Sequence, residues 1–280
     1  MPTSSQMKSI VRAHVSRSLW TMAARGKNTV LDSVDTILGR RDPMIPPRRM
    51  IFIGSGDFRS LGDEFLGYFR DLCGLGEDES VLDVGCGIGR MAIPLTSYLS
   101  PRAHYEGFDI VESGIRWCSE RITPRYPNFR FQVADIYNKE YRPQGKCRGT
   151  EYVFPFADVS FDFVFVTSVF THMLPNEVGN YLREMRRVLK PTGRCLITWF
   201  LLNQESEALI KAGKSSHDFR YRLEGARVTN PQVPEEAIAY PEVQVQKMYS
   251  KAGFTVDAIH SGAWPGREQY VSYQDMVVAH

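Results

Sequence analysis

Three glycines at alternate positions, Gly85, Gly87 and Gly89, interrupt the chain directly behind an apolar run, Val81-Leu82-Asp83-Val84. A run of that kind reads as a strand buried on both faces. The apolar stretch Met91-Ala92-Ile93-Pro94-Leu95 then reads as the start of a helix. Glycine lets the backbone turn sharply where a side chain would block a ligand, and the new helix offers its unpaired N–H groups to whatever lies above the strand. Strand, glycine turn and helix in this order build a nucleotide or nucleoside site at the carboxyl end of a parallel strand. Spacing narrows the choice. A dinucleotide fingerprint requires G-x-G-x-x-G, whereas here the third glycine comes one residue early and an acid, Asp83, stands two residues before the first.

Further strands can be read behind the turn. Residues 105–109 make a second strand ending in Asp109, about 20 residues past the glycines, where a carboxylate can accept both ribose hydroxyls. Residues 129–133 alternate as a third strand, followed by Asp135 and Ile136. Residues 161–166 are the fourth, followed by Thr167-Ser168-Val169-Phe170-Thr171-His172-Met173. The D-x-G-x-G-x-G pattern and the landmarks behind it resemble the class I S-adenosylmethionine-dependent methyltransferases. Residues 189–194 resemble the turn that these enzymes place before their fifth strand, here residues 195–200. The resemblance covers about residues 61–200 closely and the last 40 residues more loosely.

The resemblance implies an α/β fold, a Rossmann-like, seven-stranded, mostly parallel sheet with helices on both faces. It implies S-adenosyl-L-methionine as cofactor. Asp83, Gly85, Cys86, Gly87 and Gly89 would shape the cofactor turn, and Asp109 would hold the ribose. Asp135 would accept the adenine amino group with Ile136 against the ring, and Ile110 and Thr167 complete the implied contacts. Plainer roles compete. An acid in a tight turn can simply satisfy backbone N–H groups, so Asp83 can be structural, and Asp109 and Asp135 can be surface carboxylates. Cys86 is a small residue that fits between glycines, with nothing to recommend it as a nucleophile. Asp158 and Asp162 read as turn and strand-edge residues.

At 280 residues the chain can hold one large α/β domain with additions or two small ones. The division expected is an N-terminal helical arm or lid over residues 1–60 and the main domain over 61–280, with residues 201–241 an acceptor-binding insertion. Hydrophobic content of 43% with 24% charge suits a soluble globular protein, and no apolar run approaches the roughly 20 residues a membrane span needs. Lys8, Arg12 and Arg17 interrupt the N-terminal residues, which argues against a secretory core. Five cysteines without C-x-x-C pairing argue against a zinc site and a disulfide framework, so a cytoplasmic setting and no metal are expected. Residues 1–50 carry nine basic residues against three acids. That excess reads as an arm for an anionic partner or as a solvated helical face with a basic linker.

One or two helices are expected over residues 6–38, a stiff proline-rich connection over 42–47, and a lid segment or ordinary turn over 54–58. A helix follows at 61–72. Val178, Tyr181, Leu182, Met185, Val188 and Leu189 recur at helical spacing behind the fourth strand. Residues 137–153 and 201–241 read as long loops at the sheet's carboxyl edge, able to form the acceptor pocket. A last helix at 248–253, a strand at 254–259 and an antiparallel strand at 273–278 close the fold.

Methyl transfer from a sulfonium is an in-line displacement in which the protein chiefly positions the acceptor and excludes water. An alcohol oxygen also needs its proton removed, so a base within hydrogen-bond reach is expected. His172 is the first candidate, because it follows strand four and titrates near neutrality; a hydrogen-bonded wall residue or a helix cap is the plainer role. His217 and His260 come after it. The Asn/Asp-Pro-Pro-aromatic turn of amino-methylating relatives is missing at Thr167-Ser168-Val169-Phe170, as is the Pro-Cys of C5-methylcytosine enzymes. Both absences argue against nucleic acid and toward O-methylation of a small-molecule or saccharide acceptor. Three readings compete with that one: a Rossmann oxidoreductase, a non-catalytic S-adenosylmethionine-binding module, and metal-assisted methylation of a sugar diol.

Overall fold

The computed structural model describes residues 42–52, 54, 56–139 and 141–280, together with residues 32, 38 and 39. The helices expected over residues 6–38, and with them most of the arm, lie outside the described residues. The chain divides into two compact units, Met1–Phe58 and Arg59–His280. In the first, the Asp32 carboxylate accepts the backbone N–H groups of Arg48 at 3.0 Å and Arg49 at 3.3 Å. These bonds hold a short 3-10 turn, Arg48–Met50, behind the prolines.

Helix α1 (Phe58–Asp71) leads into the second unit. Strands β1 (Ser80–Val84), β2 (His104–Asp109) and β3 (Phe129–Val133) follow, with α2 (Ala92–Tyr98) and α3 (Glu112–Arg121) as their crossovers. Strand β4 (Phe161–Val166) and helix α4 (Pro175–Val188) lead to β5 (Leu189–Trp199). Strand β1 pairs in parallel with both β2 and β4. Val81, Leu82, Val84 and residues 163–166 are buried, as strands covered by helices on two sides require. On one face α4 packs Val178, Leu182, Met185 and Val188 into a cluster with Leu82, Val84, Val164 and Val166. Pro175 opens this helix, where a missing N–H costs nothing, and the Glu177 carboxylate accepts the Leu174 N–H at 2.9 Å. On the other face Phe69 of α1 meets Phe163 and Phe165 with ring centroids 5.3 and 4.4 Å apart.

Two expectations are corrected. Residues 189–194 are not a turn ahead of the fifth strand but part of it. Leu189 pairs with Phe161 and Arg194 with Phe163, so the chain loops out within the ladder and rejoins it. Gly193 sits in that excursion, where a Cβ would come within 2.8 Å of Leu189 Cδ2. Residues 201–241 are likewise not a loop. They fold as β6 (Leu201–Leu202), α5 (Gln204–Lys211), β7 (Tyr221–Leu223), β8 (Ala226–Val228) and β9 (Ile238–Pro241), giving a second sheet in the order β6-β9-β8-β7. Ala226, Val228, Ile238 and Tyr240 are buried in the same cluster as Trp199, and this burial orders the segment.

Helix α6 (Glu242–Lys251), β10 (Val256–His260) and β11 (Asp275–Ala279) complete the chain. Strand β11 runs antiparallel between β5 and β10, and the seven-stranded order is β10-β11-β5-β4-β1-β2-β3. The order reverses between β1 and β4, the position at which open α/β sheets take ligands at their carboxyl edge. Among the described residues no helix is long and apolar enough to cross a membrane.

Candidate active site

The glycine turn rises from the end of β1 at that switch point. Gly85, Gly87 and Gly89 all have positive φ, at 81°, 56° and 82°, a region L-residues adopt at a cost. Gly85 is also sterically fixed, since a Cβ there would come 2.3 Å from Val169 Cγ2. The N–H groups of Gly85 and Cys86 donate to the Phe108 carbonyl at 2.9 and 3.1 Å, which lays the turn over the end of β2. Asp109 secures it. Its Oδ2 accepts the Gly87 N–H and its Oδ1 the Val111 N–H, both at 2.8 Å. Asp109 is half-buried. Burial raises its carboxyl above the ordinary range, and the N–H groups of Val111 and Gly87 oppose that shift.

Asp83 lies beneath the turn and is fully buried. Its Oδ2 accepts the Tyr105 hydroxyl at 2.7 Å, while Oδ1 has no partner among the described residues. Burial pushes this carboxyl from 3.8 up to about 8, with the Tyr105 bond pulling the other way and the Asp109 charge adding to the rise. Burial, and then the neighbouring Asp83, also push the Cys86 thiol well up. It stays protonated and unreactive.

Asp135 follows β3 at the next strand end. Its Oδ1 accepts Nε and Nη2 of Arg142 at 3.2 and 3.1 Å. Ile136 does not lie open beside it. This side chain is 5% exposed and packs in the core with Phe108 and Phe154. Ile110 and Thr167 are half-buried beyond the ends of β2 and β4.

On the other side of the switch point the segment after β4 carries His172. Ser168 turns it with a φ of 57°, unusual for a residue with a Cβ. The Ser168 N–H donates to Thr198 Oγ1 at 2.7 Å and its hydroxyl to Gln274 Oε1 at 2.9 Å. The second sheet secures the far end of the segment, where the buried Tyr240 hydroxyl donates to the Met173 carbonyl. Nδ1–H of His172 donates to the Glu235 carbonyl at 2.8 Å. A carbonyl can only accept, so the neutral ring keeps its lone pair on Nε2. His217 neighbours His172, and burial first, then His172, lower its imidazole below the ordinary value. Its Nε2 bonds the Tyr273 hydroxyl at 3.0 Å, which in turn meets Ser216 Oγ at 2.9 Å. His260 ends β10 at the sheet's outer edge and is not part of this group.

Two clusters thus form. Asp83, the three glycines, Asp109 and Asp135 line the β1–β3 side, and His172 and His217 share the β4 side. The first suits a nucleoside, with partly exposed acids at two adjacent strand ends. Sequence reading missed Arg142, Glu235, Tyr273 and Gln274. The expectation that residues 137–153 and 201–241 can form the acceptor pocket pointed toward Arg142 and Glu235, and nothing pointed to Tyr273 and Gln274.

A sequence-family model described as a methyltransferase domain matches residues 75–253. A demethylmenaquinone methyltransferase of Halalkalibacterium halodurans is 32% identical over 124 residues, 44% of each chain. A tRNA N(3)-cytidine methyltransferase of Gallus gallus is 25% identical over 169 residues, 57% of this chain and 41% of that one. The chain therefore spans less than half the length of either relative. Among solved structures, a protein of Pyrococcus horikoshii OT3 is similar in fold, with a TM-score of 0.55 and 21% identity over 82% of this chain and 94% of that one.

Proposed function

The chain belongs to the methyltransferase-domain family, within the class I S-adenosylmethionine-dependent methyltransferases, and from that premise we propose that it O-methylates a hydroxyl group of a small molecule or saccharide. S-adenosylmethionine, when bound, supplies a methyl group on a sulfonium sulfur, a good leaving group. Asp109 accepts the ribose hydroxyls and Asp135 the adenine amino group. The glycine turn makes room between them, and Asp83 closes the site from below as a buried, protonated carboxyl. Val169, packed against Gly85, carries the segment after β4 across the turn, so that His172 faces the acceptor from the opposite side.

The observation that carries the O-methylation reading is the fixed tautomer of His172. A base must be within reach, unprotonated and oriented by a third group. The Glu235 carbonyl supplies the orientation and directs the lone pair to Nε2. The acceptor's hydroxyl proton passes to that nitrogen as its oxygen takes up the methyl group. A second histidine beside a newly charged one would oppose the transfer, but the lowered value of His217 keeps its ring neutral. Residues 201–241 wall the acceptor site by holding His172 through Glu235 and Met173 through Tyr240.

The test is His172→Ala, assayed with labelled S-adenosylmethionine against phenols, alcohols, saccharides and tRNA. General-base help is worth about 10²- to 10⁴-fold, so turnover should fall on that scale while binding of S-adenosylhomocysteine is kept. A variant that keeps more than about a tenth of wild-type turnover puts the base elsewhere. Methyl transfer to tRNA alone would overturn the small-molecule reading.

A further inference from the structure

We propose that Arg142 sets the adenine selectivity of the cofactor site by holding Asp135 in one orientation, an inference that rests on assigning Asp135 to the adenine amino group. Between β3 and β4 the chain loops out and back so that Cys147 pairs in parallel with Ile136, around a small antiparallel hairpin closed by Asn138 and Arg142. Tyr137 N–H donates to the Cys147 carbonyl at 2.7 Å, and Cys147 N–H returns to the Asp135 carbonyl at 3.0 Å. Asn138 and Arg142 exchange backbone bonds of 3.1 and 3.0 Å inside it. Gly145 lets the returning limb lie against the strand end, since a Cβ there would come 2.2 Å from the Ile136 carbonyl carbon.

The hairpin delivers the Arg142 side chain across the ends of two strands. Nε and Nη2 both donate to Asp135 Oδ1 at 3.2 and 3.1 Å, and Nη1 approaches the Ile110 carbonyl at 3.5 Å. The Arg142 side chain is 15% exposed and that of Asp135 45%, so the cation is held inside and the carboxylate faces out. Oδ2 is left without a hydrogen bond among the described residues. An ionised carboxylate only accepts. A fixed Oδ2 therefore takes an edge that donates, such as the 6-amino group of adenine, and is repelled by the 6-oxo group of hypoxanthine. A site built around one hydrogen-bonding edge rejects the analogue lacking it far better than an apolar pocket rejects a change of size. Without the two charge-assisted bonds, Asp135 regains its rotamers and must be ordered each time a ligand binds.

The experiment is calorimetric titration of the full chain with S-adenosylhomocysteine and its hypoxanthine analogue, S-inosylhomocysteine. Wild type, Arg142→Met, Arg142→Lys, Asp135→Ala and the Asp135→Ala/Arg142→Met double variant are compared, with thermal melts as the fold check. Arg142→Met should weaken S-adenosylhomocysteine binding about tenfold and shrink the preference for adenine over hypoxanthine, and Arg142→Lys should restore part of both. In the Asp135→Ala background, Arg142→Met should cause no further loss, because the arginine acts through the carboxylate. Losses that add, or an Arg142→Met protein with wild-type affinity and preference beside a weakened Asp135→Ala, overturn the proposal alone. Unchanged affinity in Asp135→Ala removes the adenine assignment and the proposal together.

Discussion

Asp83→Asn is expected to abolish a pH dependence of stability that the wild-type chain carries between about pH 4 and pH 8. The folded carboxyl titrates at about 8 because it is wholly buried, with a single bond from Tyr105 and an unpartnered Oδ1, against an ordinary value of 3.8. Across this window the folded state holds a proton that the unfolded state has released. Stability must then fall as pH rises, by at most about 1.4 kcal/mol per unit. Moving from pH 5.5 to 7.5 should cost the wild type roughly 2–3 kcal/mol from this residue alone. The contribution is complete below the unfolded value and gone above the folded one. Asparagine keeps the shape and an acceptor for Tyr105 but cannot ionise, so the slope that Asp83 contributes is missing from the variant's curve. Burial also raises Asp109 and Asp275; both remain in the variant and cancel in the difference. Urea midpoints measured at half-unit steps, with m-values checked for constancy, read the effect directly. Parallel curves for the two proteins would refute the reasoning, since they would mean that Asp83 is already ionised in the fold.

Two further substitutions follow from local geometry. Val159 holds a φ of 56° at 53% exposure, a left-handed conformation that a β-branched side chain adopts only under strain. Val159→Gly should stabilise by about 0.5–1 kcal/mol, seen as a rise in melting temperature, and a fall would show that the side chain contributes packing that outweighs the strain. Arg267 pairs with Asp275 at 2.8 Å, with side chains 3% and 2% exposed. Arg267→Met strands the carboxylate and should cost about 3–5 kcal/mol in denaturant melts, with Asp275→Asn in the same chain recovering part of it; equal losses in single and double variants would show that the charge is not the cause.

How far the sequence could be read depends on the range of the contacts involved. Residues 129–133 and 161–166 were legible to the residue because alternating or continuous apolar runs report burial locally. The acids at 83, 109 and 135 were legible as positions, since each is tied to a strand end by a fixed offset. Their states were not. That Asp83 is sealed with one oxygen unpartnered follows from Tyr105, and that Asp135 is clamped follows from Arg142. The second sheet escaped for a different reason. Its strands are two to four residues long, too short for a period of two to stand out, and they exist because Trp199 and its neighbours give them something to bury against. Pro191 and Gly193 follow the end of helix α4 at Val188, as stop signals should. The ladder with β4 resumes past them.

The two insertions share one feature. Each leaves the core beyond a strand end and returns to place a polar group on a residue just past one. Residues 137–147 bring Arg142 onto Asp135, and residues 203–240 bring Glu235 and Tyr240 onto the segment holding His172. The parallel core alone fixes where the carboxylates and the imidazole sit, whereas the insertions fix which way they point. The β7 and β8 strands pair with each other and β9, not with any strand of the main sheet. On the proposed reading, changes at the exposed positions of β7 can therefore reshape the acceptor wall separately from the glycine turn, whereas Ala226 and Val228 of β8 share a core cluster with Leu82 and Val84. Replacing Tyr240 with Phe tests that separation: it removes the bond to Met173 while leaving the buried ring, so it should lower turnover more than it lowers affinity for S-adenosylhomocysteine. An equal loss in both would mean that the two sides of the site are one unit.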